Sequence, residues 1–204
     1  MPKIFIINGH QAFPFAPGAL NASFVRRASE ILESQGHELR VTRTAEEYDV
    51  DTEVANHMWA DVIFMQFPVN WMGVPWSFKR YMDAVYTAGM DGRLSNGDGR
   101  SSAHPKANYG MGGTLTDTRY MLSVTLNAPA EAFNDPGEPF FGGADVDTLL
   151  YPMHLNMKFF GAQALPTFSA HDVMKAPEAE KDLERFASHL VAHIPAMQEA
   201  GAMS

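Results

Sequence analysis

The sequence predicts an α/β fold, a five-stranded parallel sheet covered by helices on both faces. Three observations predict it. Short apolar runs recur along the chain, each the length of a strand buried on both sides. Stretches with apolar residues at helical spacing separate them, and strands alternating with helices pack as a parallel sheet. The 204 residues include no cysteine, so packing alone must hold the chain, and a domain of this size buries roughly 70% of the surface its unfolded form exposes.

Lys3 to Asn8 is an apolar strand. Leu20 to Gln35 carries Leu20, Phe24, Ala28, Ile31 and Leu32 on one helical face and is stopped by Gly36. Glu38 to Arg43 alternates as a second strand, Asp51 to His57 is a short helix, and Asp61 to Gln66 is the third strand. The third helix, Val74 to Tyr86, is entered through Pro75, which is tolerated in a first turn because the missing N–H has no partner there. Thr87 to Thr118 turns to Gly, Ser, Asn and Asp with almost no apolar periodicity, and is expected to be a long loop without a strand of its own. Tyr120 to Thr125 is the fourth strand, Pro129 to Phe133 a short helical piece, Leu149 to Phe160 a helix ended by Gly161, and Gln163 to Phe168 the last strand. Glu178 to Ile194 closes the fold with Leu183, Phe186, Leu190, Val191 and Ile194 at helical spacing. We expect one domain over residues 1–195, a frayed tail over 196–204, and the strand order 2-1-3-4-5 of a flavodoxin-like three-layer sandwich.

Composition removes several function classes. With 15 basic and 24 acidic residues the net charge is -9, and no Lys/Arg stripe could neutralise successive phosphates, so nucleic acid is not expected as a partner. The start Met1-Pro2-Lys3-Ile4-Phe5-Ile6-Ile7-Asn8 is too short and too soon interrupted for a signal peptide or membrane span, and a cytoplasmic protein is expected. The eight histidines show no ligand spacing, so no metal site is expected. Ser123 lacks a GxSxG elbow, which leaves a hydrolase without its nucleophile. Without thiols, any redox work needs a bound cofactor.

The most informative stretch is Phe67-Pro68-Val69-Asn70-Trp71-Met72-Gly73-Val74-Pro75-Trp76, at the carboxyl end of the third strand. In open α/β sheets ligands bind along that edge, and this proline-bounded loop offers backbone amides and aromatic faces to a flat ring, for which a flavin is the natural occupant. The first strand leads through Gly9-His10 and onward to Ala16-Pro17-Gly18-Ala19-Leu20-Asn21-Ala22-Ser23, a loop feeding a helix N-terminus and suited to a pyrophosphate. Taken alone it is equally an ordinary connection with Asn21 as a cap or buried polar residue. The fourth strand ends in Thr125-Leu126-Asn127-Ala128, whose backbone and small polar groups suit the edge of an isoalloxazine. Asn108-Tyr109-Gly110-Met111-Gly112-Gly113 is a glycine-rich candidate lid, or a surface loop whose tyrosine packs locally. His154 is a candidate proton donor, though a satisfied, helix-packed histidine explains it as well.

These segments together resemble a known family. Phe67 to Pro75, with Lys79 and Tyr81, resembles the FPxxWxxxP segment of the NAD(P)H:quinone oxidoreductases of flavodoxin-like fold. Tyr120-Met121-Leu122-Ser123-Val124-Thr125-Leu126-Asn127-Ala128-Pro129 with Glu131-Ala132-Phe133 is similar to the modulator of drug activity B branch, as are Asn8-Gly9, Trp59-Ala60-Asp61 and Leu165-Pro166-Thr167-Phe168. The resemblance implies noncovalent FAD, with NAD(P)H delivering hydride to flavin N5 and a quinone taking it in a ping-pong reaction that protects against oxidative stress. It implies phosphates held by Ala16 to Ser23, a ring held by Pro68, Val69, Asn70, Trp71 and Met72 and by Thr125, Leu126, Asn127 and Ala128, and Tyr109 as the catalytic tyrosine of the lid. The phosphate loop of these families often carries hydroxyls where this chain has Ala16 and Ala19. A homodimer is implied as well, with Trp71, Trp76, Phe140 and Phe141 as apolar cover. An FMN-dependent azo or nitro reductase and a flavodoxin-like one-electron carrier remain as alternatives.

Overall fold

Each apolar run becomes a strand whose alternate residues enter two different cores. The computed structural model describes residues 2–194, so the expected frayed tail over 196–204 lies outside the described residues. The chain runs β1 (Lys3–Asn8), α1 (Ala19–Ser34), β2 (Glu38–Arg43), α2 (Val50–Trp59), β3 (Val62–Pro68), α3 (Trp76–Ala88), β4 (Arg119–Thr125), α4 (Val146–Leu149), α5 (Tyr151–Phe159), β5 (Gln163–Ala164), β6 (Phe168–Ala170) and α6 (Ala179–His193). All pairings are parallel, in the order β2-β1-β3-β4-β5, with β6 also on β4. The expected order 2-1-3-4-5 is therefore present. Ile4, Ile6, Val62, Phe64 and Met121 meet Phe24, Ala28 and Leu32 of α1 and Phe186 and Leu190 of α6. Phe5, Ile7, Ile63, Met65 and Leu122 meet α2, α3 and α5 through Val54, Phe78, Tyr81, Val85, Met153 and Met157. Burial on both faces is why these strands read as unbroken apolar runs.

The last strand needs correction. Gln163 to Phe168 is not one strand but β5 and β6, separated by Leu165-Pro166-Thr167. Pro166 has no N–H to give a ladder, so β4 is paired in two short pieces. Val191 is half exposed rather than part of the α6 core face. The loop over 87–118 holds a single 3-10 turn at Gly89–Asp91 and an isolated bridge between Ser95 and Gly113, but no strand. No helix among the described residues is long and apolar enough to cross a membrane.

Candidate active site

The carboxyl ends of β1, β3 and β4 are neighbours, and three loops leave them. In the first, Phe13 and Ala16 exchange backbone hydrogen bonds of 3.1 and 3.0 Å around Pro14-Phe15, which leaves Phe15 exposed and stacked on Phe13. Gly18 then caps α1 at φ 94 with no side chain to offer, and the first turn contains no acidic residue. The Ala22 N–H reaches the Gly18 carbonyl at 2.9 Å. The N–H groups of Ala19, Leu20 and Asn21 have no partner among the described residues. Free amides at the positive end of a sixteen-residue helix favour an anion. The ring of His10 lies against Gly18, where a Cβ would stand 2.2 Å from it. Burial holds the His10 imidazole below its ordinary range, opposed by a hydrogen bond to the Ala16 backbone, so the ring is neutral at pH 7.

In the second loop Asn70 and Gly73 exchange hydrogen bonds of 2.9 and 3.0 Å around Trp71-Met72. Both residues lie in the left-handed region, at φ 48 and 64. Such a turn is normally filled by Asn and Gly, and each bulkier residue there costs about 1 kcal/mol or more. Trp71 is nevertheless 98% exposed. The strain is thus spent on displaying an indole to solvent rather than on packing it. Val69 donates to the Thr125 carbonyl at 2.9 Å and packs on the core, and Pro68 lies in register with Thr125, so the second loop is tied to the third.

In the third loop the Thr125 and Leu126 side chains are buried, so only their backbone can serve a ligand. Asn127 is exposed and Ala128 half-buried. Leu126 donates to the Ala170 carbonyl at 2.8 Å and Asp172 to the Ala128 carbonyl at 3.1 Å, which anchors this loop to β6.

Beneath the three loops runs a polar row that the sequence reading missed. Asn8, Gln66 and Ser123 occupy adjacent strands in register on the α1 face. Ser123 Oγ donates to Gln66 Oε1 at 2.6 Å, Gln66 Nε2 to Asn21 Oδ1 at 3.2 Å, and Asn21 Nδ2 to Asn8 Oδ1 at 2.7 Å. The signal was present as one glutamine in the otherwise apolar run Val62 to Phe67. Asn21, expected as a phosphate ligand, thus has its side chain engaged inside the protein, and its backbone N–H is what remains available. Ser23 Oγ is turned back onto the Ala19 carbonyl at 3.0 Å. Ala16 commits its N–H to Phe13, Pro17 has none, and Ala22 is bonded within the turn, so Gly18, Ala19, Leu20 and Asn21 supply the open amides of this set.

Two candidates lie elsewhere. Tyr109 is exposed, edge-on to Phe159 at 6.2 Å with the Arg100 guanidinium over its ring. Phe159 ends α5, which leads into β5 beside Arg119. From Arg119 to Thr125, β4 spans about 20 Å, so Tyr109 sits at the opposite edge of the sheet from its own chain's three loops. His154 is held between the Tyr120 hydroxyl at 2.8 Å and Asp147 Oδ1 at 3.2 Å, and Tyr120 is the second residue of β4. Burial first, then the Asp147 charge, pushes the Tyr120 phenol up to about 12. Phe141 is stacked on Phe133 at 4.2 Å, whereas Trp76 and Phe140 are exposed. Among the described residues no group of three or more His, Asp or Glu side chains is placed to hold a metal ion.

Comparison with known proteins agrees with this architecture. Residues 2–194 match the family described as having a flavodoxin-like fold. The chain is 40% identical over 188 residues to the NADPH:quinone oxidoreductase MdaB of Haemophilus influenzae, covering 92% of this chain and 97% of that one. A candidate quinone reductase from Klebsiella pneumoniae superposes with a TM-score of 0.76 at 22% identity, covering 99% of this chain and 90% of that one. The general stress protein 14 of Treponema denticola, solved with FMN, superposes with a TM-score of 0.64 at 21% identity over 94% of this chain and 99% of that one. By a family match along nearly its whole length, and by a curated relative aligned almost from end to end, the chain belongs to the flavodoxin-like family and, within it, to the quinone oxidoreductase branch that includes MdaB.

Proposed function

We propose that this chain reduces quinones by two electrons at the expense of NAD(P)H, using FAD held at the three-loop edge. The observation that carries the reading is the open N-terminus of α1: the unpaired amides of Gly18, Ala19, Leu20 and Asn21 and no acidic residue, beside the ends of β1 and β3. This donor set fits phosphate oxygens. FAD, when bound, supplies the hydride-carrying ring. The first-turn amides of Ala19, Leu20 and Asn21 would hold its phosphates without help from hydroxyls at positions 16 and 19. Pro68 to Met72 and Thr125 to Ala128 would orient the ring, and Trp71 and Phe15 would exclude water from it. The nicotinamide and the quinone would use one face in turn, which requires no acid/base dyad from the protein. Delivering two electrons together spares the cell a one-electron-reduced quinone that reacts with oxygen, the basis of a protective role in the cytoplasm.

The purified protein should absorb as a flavoprotein, release FAD on denaturation as identified by mass, bleach on adding NADPH and recover on adding menadione. Release of FMN would instead favour the FMN-dependent reductases, and no flavin binding even on reconstitution would refute the proposal.

We further propose a homodimer. Tyr109, placed away from its own chain's loops, and the exposed Trp71, Trp76 and Phe140 supply apolar surface for such an interface. In that arrangement the partner subunit's Tyr109 would cover the ring. Sedimentation at micromolar concentration should give twice the chain mass; a monomer would rule this out.

A further inference from the structure

Two protrusions leave the molecule at opposite edges of the sheet, and they carry opposite charge. The first is the tip of the long loop after α3. Its neck is closed by backbone hydrogen bonds, Asn96 N–H to the Gly112 carbonyl at 2.8 Å and Gly110 N–H to the Asp98 carbonyl at 2.7 Å. The two sides of the neck touch so closely that a Cβ at Gly99 would stand 2.4 Å from the Asn108 carbonyl oxygen, and one at Gly112 would stand 2.3 Å from the Gly97 carbonyl oxygen. Beyond the neck every residue from Arg100 to Tyr109 is exposed. The arm is thus held out from the fold by its base, and docking it costs less ordering entropy than docking an unbraced loop.

This arm is basic in an acidic protein. From Gly99 to Thr116 the chain has Arg100 and Lys106 and no Asp or Glu, against a net charge of -9 for the whole. Arg100 donates to Asp98 Oδ2 through Nε at 2.8 Å and Nη2 at 2.6 Å, which sets its guanidinium 5.6 Å from the centre of the Tyr109 ring. Lys106 has no ion-pair partner among the described residues.

The second protrusion follows the third loop, at the carboxyl edge. The Asn134 N–H closes it onto the Ala144 carbonyl at 3.1 Å, and Phe141, stacked on the buried Phe133, pins it to the core. Every residue from Asn134 to Phe140 is exposed. From Tyr120 to Met157 the chain has no Lys or Arg, and this stretch carries Glu131, Asp135, Glu138, Asp145 and Asp147, all exposed. Glu131, Asp135 and Glu138 have no ion-pair partner among the described residues. Each protrusion also displays one aromatic ring, Tyr109 on the arm and Phe140 on the acidic loop, each 72% exposed. Exposed rings set among unpaired charges of opposite sign have the make-up of the two halves of one interface, apolar at the centre and polar at the rim. With the length of β4, about 20 Å, between Tyr109 and the carboxyl edge, the arm meets such a loop on another copy of the chain and not on its own. A two-fold axis makes both contacts at once, arm to loop and loop to arm.

We propose that the arm of one copy docks on the acidic loop of a second copy, with Arg100 and Lys106 facing Glu131, Asp135 and Glu138, and that this reciprocal charge pairing selects the partner surface. It rests on the reading of the protein as a homodimer and adds which surfaces meet.

Charge reversal followed by mixing tests it. The arm variant Arg100→Glu/Lys106→Glu and the loop variant Glu131→Lys/Glu138→Lys, both full-length, are sedimented alone and as an equimolar mixture, with far-UV circular dichroism as the check on folding. Each variant alone sets like charges together and should dimerise about tenfold or more weakly than the unaltered protein. In the mixture the acidic arm meets the basic loop while the unaltered arm meets the unaltered loop, so the dimer should return. Lys106→Glu alone, which breaks no ion pair within the chain, should weaken dimerisation in the same direction to a smaller degree. The unaltered dimer should also loosen between about 0.05 and about 0.5 M NaCl, because exposed charges are screened. Dimers indifferent to reversal and to salt, a loss confined to one of the two double variants, or a mixture that stays dissociated would overturn the pairing. A monomer from the unaltered protein would overturn the homodimer reading itself, a separable result.

Discussion

Gly113→Ala is expected to lower folding stability by about 3 kcal/mol or more. A Cβ at Gly113 would stand 2.0 Å from the Phe160 carbonyl carbon and 2.3 Å from the Gly161 nitrogen. Both are backbone atoms, so no rotamer change relieves the overlap. The backbone there is also fixed from either side, by Leu115 N–H to the Phe160 carbonyl at 2.8 Å and Gln163 N–H to the Thr118 carbonyl at 2.9 Å. Relief requires the long loop to leave the start of β5, which would also displace Tyr109. Urea unfolding measures the loss, with Gly73→Ala as the comparison: nothing lies within 4 Å of its added Cβ, and a change within about 0.5 kcal/mol is expected. Equal losses at the two positions would show that the loop yields and that the close approach is not a constraint.

The second large effect is acid sensitivity centred on His57. Its ring is buried between Phe5, Tyr81 and Tyr86, Nδ1 donates to the Glu53 carbonyl at 2.9 Å, and Nε2 has no partner among the described residues. Burial pushes its pKa from 6.5 down to about 4. The unfolded chain therefore takes up this proton near pH 6.5, while the folded chain refuses it until about pH 4. Between those values the unfolded state binds more protons, so stability is unaffected above the window and falls as the pH drops through it. The full loss is about 3 kcal/mol below pH 4. Burial depresses His10, His37, His171 and His189 in the same direction, which steepens the slope. Urea titrations at pH 7.5 and pH 4.5 should show His57→Leu losing about 2–3 kcal/mol less than the unaltered protein across that interval. Parallel slopes for the two would remove His57 as the cause.

Most of the sheet was legible because burial on both faces leaves a strong trace: Ile4 to Ile7 of β1, Val62 to Met65 of β3 and Tyr120 to Leu122 of β4 are apolar runs. The last strand was misread because Leu165 and Phe168 supply the apolar character of a strand while Pro166 withholds the hydrogen bond that would make it continuous. The three loops were legible from local residues, since a loop's place at the carboxyl edge follows from the strand before it. Tyr109 was not. Its glycines announce a flexible segment, but only the direction of α3, which returns the chain to the amino edge, determines where that segment lies. The row of Asn8, Gln66 and Ser123 was hidden for another reason. Each is a single polar residue in its own strand, and they become one network only through the register of three strands.

The break at Pro166 also bears on how the protein behaves in a crowded cell. Beyond β4 the sheet has an open margin, and a long flat margin recruits strands from other copies into aggregates. Here that margin is cut into pieces of two and three residues. Arg185 donates to the Ser169 carbonyl at 3.0 Å and His189 bonds the Pro166 carbonyl at 2.9 Å, so acceptors that an incoming strand would use are already engaged. The opposite margin, β2, carries exposed Glu38, Arg40 and Arg43. Both flanks of the sheet thus discourage edge-to-edge growth, which leaves self-association to the aromatic surfaces at its ends.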